Sequence, residues 1–140
     1  MNILFICDEY PPGKNGGIGS AVQNLARELV QQGHKAYVAG LYTYAYGGKD
    51  FEMDDGVSVW RFRYGLNLIV QDEHVIYKLI NRLPGVLKKY LNGIQAYNRF
   101  LKFLHHIISQ QKIDIIEIAD WNTFAMRVGF KVEWPTFSVP

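Results

Sequence analysis

An apolar run, a glycine-rich loop, an amphipathic helix and a second apolar run follow one another across residues 3–41, and few folds accommodate that succession. Residues 3–7, Ile3-Leu4-Phe5-Ile6-Cys7, are apolar at every position. That is the pattern of a strand covered on both faces within a parallel sheet. Residues 8–17 are dense in proline and glycine and read as an irregular loop. From Ile18 the period changes. Ile18, Val22, Leu25, Ala26, Leu29 and Val30 recur at helical spacing, opposite Gln23, Asn24, Arg27, Glu28, Gln31 and Gln32. Gly33 is placed to end that helix, His34 to complement its carboxyl end, and 36–41 to form the second strand. Strand, helix and strand make a βαβ unit with a right-handed crossover.

The same alternation continues. Residues 42–51 form a tyrosine- and glycine-rich connection, Asp54-Asp55-Gly56 is a turn signal, and 57–62 reads as a strand. A short helix is expected over 73–83, stopping before Pro84. A long amphipathic helix is expected over 86–111, with Leu87, Tyr90, Leu91, Ile94, Tyr97, Leu101, Leu104 and Ile108 on one face. Residues 115–119 read as a fourth strand with Asp120-Trp121-Asn122 just beyond it, 123–129 as a short helix, and 136–139 as the start of a fifth strand. With 49% hydrophobic and 20% charged residues there is material for a core and no case for disorder. The expected fold is α/β, a doubly wound, Rossmann-like parallel sheet forming one domain over 1–140. Such sheets bind ligands beyond the carboxyl ends of their strands, here at 8–19, 41–48 and Asp120-Trp121.

Several function classes drop out. Fifteen basic against thirteen acidic residues leave a formal charge of +2, which offers no electrostatic ground for a nucleic-acid partner. No apolar run approaches the roughly eighteen residues of a membrane span. Cys7 is the single cysteine, so no internal disulfide forms, and a reducing, cytoplasmic setting fits. Asp8 and Glu9 lack a companion ligand set and read as a solvated pair. His105 and His106, being adjacent, point to different parts of a helix surface and do not chelate. Lys88, Lys89, Arg99 and Lys102, set among aromatic residues, would suit an anionic membrane surface. A core-facing crossover helix is the preferred reading, so peripheral membrane contact is not favoured.

Lys14-Asn15-Gly16-Gly17-Ile18-Gly19 joins the first strand to the first helix. Glycines allow a backbone to approach an anion, N–H groups at a helix amino end attract negative charge, and a lysine adds a mobile cation. Glycines that merely permit a tight turn account for the same pattern. A dinucleotide fingerprint fails, because Val22 stands at the third glycine and Tyr42 and Thr43 replace the acidic residue after the second strand. The P-loop fails as well, for want of G-K-[ST].

Together, Glu9-Tyr10-Pro11-Pro12, Lys14-x-Gly16-Gly17-Ile18-Gly19, Leu25-Ala26 through Leu29 to Gly33-His34, and Val38 resemble the opening of family-4 glycosyltransferases, including the glycogen and starch synthase type. Asp114-Ile115-Ile116-Glu117-Ile118-Ala119-Asp120-Trp121 is similar to that family's D-V-V-H-A-H-D-W, and Asp55-Gly56-Val57-x-Val59 also fits. Glu117 and Ala119 stand where the family often carries the two histidines of H-x-H.

The resemblance implies the amino-terminal, acceptor-side half of a GT-B fold. By position it implies that Gly16 and Gly17 contact the diphosphate of a nucleotide-sugar donor, that Gly19 shapes the turn, and that Lys14 reaches the donor phosphates. Asp120 and Trp121 would line the acceptor side, although Asp120 as a helix cap and Trp121 as a packing residue remain open. No catalytic residue is assigned. The implied reaction moves a sugar, with retention and without a metal or other cofactor, to a carbohydrate or lipid-linked acceptor. The donor-holding groups belong to a carboxyl-terminal domain, expected in cis or as a split subunit. A strand opening at 136–139 without continuation fits that expectation of an incomplete chain, inactive alone. The rival readings are a stand-alone anion- or nucleotide-binding module and a partner-docking protein using the 42–51 and 124–134 surfaces.

Overall fold

The computed structural model describes residues 1–13, 16–64 and 85–118. The helices expected over 73–83 and 123–129, the strand expected over 136–139, and Lys14, Ala119, Asp120 and Trp121 lie outside those residues. In chain order the elements are β1 (Asn2–Ile6), α1 (Gly17–Gln31), β2 (Lys35–Thr43), a single 3-10 turn (Tyr44–Tyr46), β3 (Phe51–Asp54), β4 (Val57–Tyr64), α2 (Gly85–Gln110) and β5 (Ile115–Ile118). They form one five-stranded sheet in the order β3-β4-β2-β1-β5. β1 pairs in parallel with β2 on one side and with β5 on the other, and β2 pairs in parallel with β4. Among the described strands β3 alone runs antiparallel, at the edge beside β4.

The unbroken apolar run at 3–7 is explained by two covered faces. Ile3, Phe5 and Cys7 face one layer with Ala26 of α1, Val38, Val57 and Val59. Leu4 and Ile6 face the other, with Ala96, Phe100, Leu104 and Ile107 of α2. One helix on each side of a largely parallel sheet is the expected doubly wound arrangement, and the expected crossover role of the long helix holds. α1 ends in a Schellman motif: Gly33 N–H donates to Val30 O and His34 N–H to Leu29 O, with Gly33 at φ +84°. The His34 ring instead meets the amino terminus, Nδ1 lying 3.3 Å from the Met1 nitrogen.

One element departs from expectation. Residues 42–51 contain more than a connection, because β2 runs on to Thr43 and Phe51 opens β3. A parallel β2–β4 pair requires the chain to return to the amino edge of the sheet, a task usually given to a helix. Here β3 makes the return. It turns into β4 through Asp55 and Gly56, both at positive φ (49° and 87°), the geometry of a two-residue type I′ hairpin.

The hairpin is tied to α1 by Asp54. Its carboxylate accepts from Tyr10 Oη at 2.6 Å and Gln23 Nε2 at 2.9 Å, and pairs with the Arg27 guanidinium. Burial opposes ionisation of Asp54, but the bonds from Arg27, Tyr10 and Gln23 outweigh it and hold the carboxyl below its ordinary range. Burial first, and then the Asp54 carboxylate, hold the Tyr10 phenol protonated far above its usual range. Replacing Asp54 by Ala leaves the buried Tyr10 hydroxyl without its acceptor, and the expected cost is about 2–3 kcal/mol by urea denaturation. Because the folded carboxyl titrates below the unfolded one, this contribution is complete above a pH of about 4 and is lost as pH falls through the folded value. Asp54→Asn should therefore flatten the acid limb of the stability curve while leaving its alkaline side unchanged.

Candidate functional site

The carboxyl edge of the sheet is formed by the ends of β1, β2 and β4, the amino end of α1 and the two loops between them. The β1–α1 loop comes in close to α1. A Cβ on Gly19 would lie 1.8 Å from the Glu9 carbonyl oxygen, so no residue with a side chain fits without moving backbone. A Cβ on Gly16 would lie 2.6 Å from Glu9 Oε2. Glu9 and Asp8 are half-buried and Glu9 Oε2 is a buried oxygen without a hydrogen-bond partner, so the solvated acidic pair expected from the sequence is corrected. Gly17 differs from its neighbours: among the described residues, a Cβ there would meet no atom within 4 Å.

α1 begins at Gly17 with Gly16 as its N-cap. Among the described residues no side chain caps it, and no acidic residue lies in its first turn. First-turn N–H groups of such a helix suit a ligand or water at the positive end of the helix dipole. Of the sequence-predicted donor residues, the structure places Gly16, Gly17 and Gly19 together at this helix end. Lys14, Asp120 and Trp121 are outside the described residues.

Two arginines, Arg61 inside the strand expected over 57–62 and Arg63 just beyond it, organise the opposite loop. Arg61 and Arg63 occupy alternate positions near the carboxyl end of β4. Arg63 donates from Nη2 to Gly47 O and Gly48 O, both at 2.8 Å, from Nη1 to Thr43 O at 3.1 Å, and from Nε to Asp50 Oδ1 at 2.9 Å. Arg61 donates from Nη1 to Lys49 O at 2.9 Å. Both guanidinium groups stand over the Tyr42 ring, 5.6 and 6.0 Å from its centroid. Tyr42 is buried and donates to Cys7 O at 2.5 Å, so the expected exposed docking surface does not begin there. The available signal was charge spaced by two, at Arg61 and Arg63, at the end of a strand in an otherwise apolar sheet.

Other features frame the site without adding ligands to it. Burial pushes the Cys7 thiol up to about 11, so it is neutral at physiological pH. A groove of about 420 Å³ lies between α1 and β5, lined by Phe5, Ile18, Val22, Leu25, Glu117 and Ile118. Among the described residues no group of three His, Cys, Asp or Glu side chains gathers as a metal site, and no helix is long and apolar enough to cross a membrane.

This arrangement, a Rossmann-like half-site whose glycine loop opens onto a helix amino end, is the type found in nucleotide-sugar transferases of the GT-B class. Residues 2–137 match the family model described as the starch synthase catalytic domain, and the chain belongs to that family of glycosyltransferases. No curated protein and no solved structure matches the chain.

The geometry separates two neighbouring glycines. Gly19→Ala should cost about 1–3 kcal/mol, because the Glu9 carbonyl must retreat. Gly17→Ala should leave stability unchanged or raise it by up to about 1 kcal/mol, since its Cβ meets none of the described residues and Gly is a poor helix former. Paired urea titrations of the two variants check this directly.

Proposed function

We propose that this chain forms the acceptor-side wall of a sugar-transfer site and presents the amino end of α1 to the diphosphate of a nucleotide-sugar donor. The observation that carries the reading is Gly17, the first residue of a helix without a side-chain cap, where among the described residues nothing stands within 4 Å of the place its Cβ would take. Backbone N–H groups there are fixed before a ligand arrives and suit the charge that develops on a departing diphosphate. Gly16 and Gly17 contact the phosphates, and Lys14 adds a cation from the same loop. Asp120 and Trp121, which follow β5 in the chain, would serve the acceptor in this reading. The family resemblance supports transfer to a carbohydrate or lipid-linked acceptor with retention, and a second domain, in cis or as a separate subunit, to hold the nucleotide and sugar. The isolated chain is then a binder without turnover, and the buried free thiol of Cys7 suits the cytoplasm.

Titration of the isotope-labelled chain with ADP-, GDP- and UDP-sugars tests the reading. Amide shifts should centre on Gly16, Gly17 and Gly19, with affinity far weaker than micromolar, because one wall of a cleft binds poorly. Gly17→Leu should abolish the shifts without lowering stability, and Lys14→Ala should weaken binding about tenfold through loss of a charged phosphate contact. Shifts elsewhere, or submicromolar binding by this chain alone, would count against the half-site.

A further inference from the structure

The two loops at the carboxyl edge of the sheet are joined by a single side chain. Arg61 is 2% exposed, so protein groups rather than water must meet its charge. Its Nη2 donates to the Pro11 carbonyl in the β1–α1 loop and to Glu52 Oε1 on β3, and its Nη1 to the Lys49 carbonyl in the β2–β3 loop. Gly48, at φ +74°, closes over it. A Cβ on Gly48 would stand 2.9 Å from Arg61 Cζ and 3.0 Å from Pro12 Cδ. Lower in the same seam, a Cβ on Gly13 would stand 2.4 Å from the Tyr46 carbonyl oxygen. The contacts run from Arg61 to Pro11, along the chain to Glu9, and from the Glu9 carbonyl to Gly19 in the first turn of α1.

We propose that Arg61 is a positioning residue: it locks the β1–α1 loop to the β2–β3 loop so that the glycines at the start of α1 are held as one rigid wall. This rests on the proposed donor site for its purpose but not for its mechanics. The guanidinium is a poor choice for stability alone. Its Nε is buried without a partner, and a buried ion pair is often matched by an apolar residue of similar volume. What an apolar side chain cannot do is bond to carbonyls on two different loops at once. The planar fork of arginine can, and Glu52, itself partly exposed, balances the charge from outside the seam.

Amide hydrogen exchange on the free chain tests the lock. In Arg61→Met, the amides of Tyr10, Gly13, Gly48 and Lys49 should exchange about tenfold faster together, the expected effect of losing charged hydrogen bonds from a local unit, while Leu4 and Val38 keep their wild-type rates. In Glu52→Gln, which removes the ion pair but keeps the bonds to Pro11 and Lys49, all of these amides should exchange as in the wild type. Unchanged loop rates in Arg61→Met, an equal acceleration in Glu52→Gln, or a parallel rise at Leu4 and Val38 would each overturn the proposal. Inorganic pyrophosphate then separates the two claims. Arg61→Met should lose affinity measured at the Gly17 amide. A wild-type chain that shows the exchange result but no pyrophosphate shifts refutes the donor site and leaves the lock standing.

Discussion

β1 is enclosed on four sides. Parallel partners take both of its edges, and a helix layer covers each face. Nothing can grow from this strand except at its ends, so the chain leaving Ile6 must turn at the carboxyl edge and reach α1 through a loop. Strand order also reverses at β1, with β2 to one side and β5 to the other. In open α/β sheets that reversal opens a crevice above the strand ends. The position of the glycine loop therefore follows from the burial of five apolar residues.

What the crevice can hold depends on how firmly its loops are kept. The β1–α1 loop is backed by the Tyr10–Asp54–Arg27 network on the α1 side of the sheet. Across the edge, Arg63 gathers the carbonyls of Thr43, Gly47 and Gly48, and Arg61 reaches both loops. Buried charge here organises backbone that has no ladder of its own. The hydrophobic layers build the sheet, and the arginines build its rim.

Much of this was legible in the residues. The uniform apolar run at 3–7, the helical spacing from Ile18 and the glycine at position 33 marked the βαβ unit, because each reports a local requirement of burial, periodicity or backbone angle. β3 was not legible as a strand. Its four residues alternate between exposed and half-buried, Phe51 and Met53 remain largely open, and only the Asp55-Gly56 dipeptide betrayed the hairpin. Gly16, Gly17 and Gly19 were readable as a group, and the family resemblance set Gly19 apart as shaping the turn, but the cause, the nearness of the Glu9 carbonyl, was not readable. The arginines were missed because most of their partners are carbonyl oxygens, and a backbone acceptor leaves no mark on a sequence.

A crystal structure of the chain with a nucleoside diphosphate bound would examine the central claim most directly. The account predicts the diphosphate within hydrogen-bonding distance of the backbone nitrogens of Gly16 and Gly17, with the β1–α1 and β2–β3 loops unmoved. A diphosphate seated elsewhere, or the ligand's base buried in the apolar groove beside Leu25 with the helix end left vacant, would contradict it.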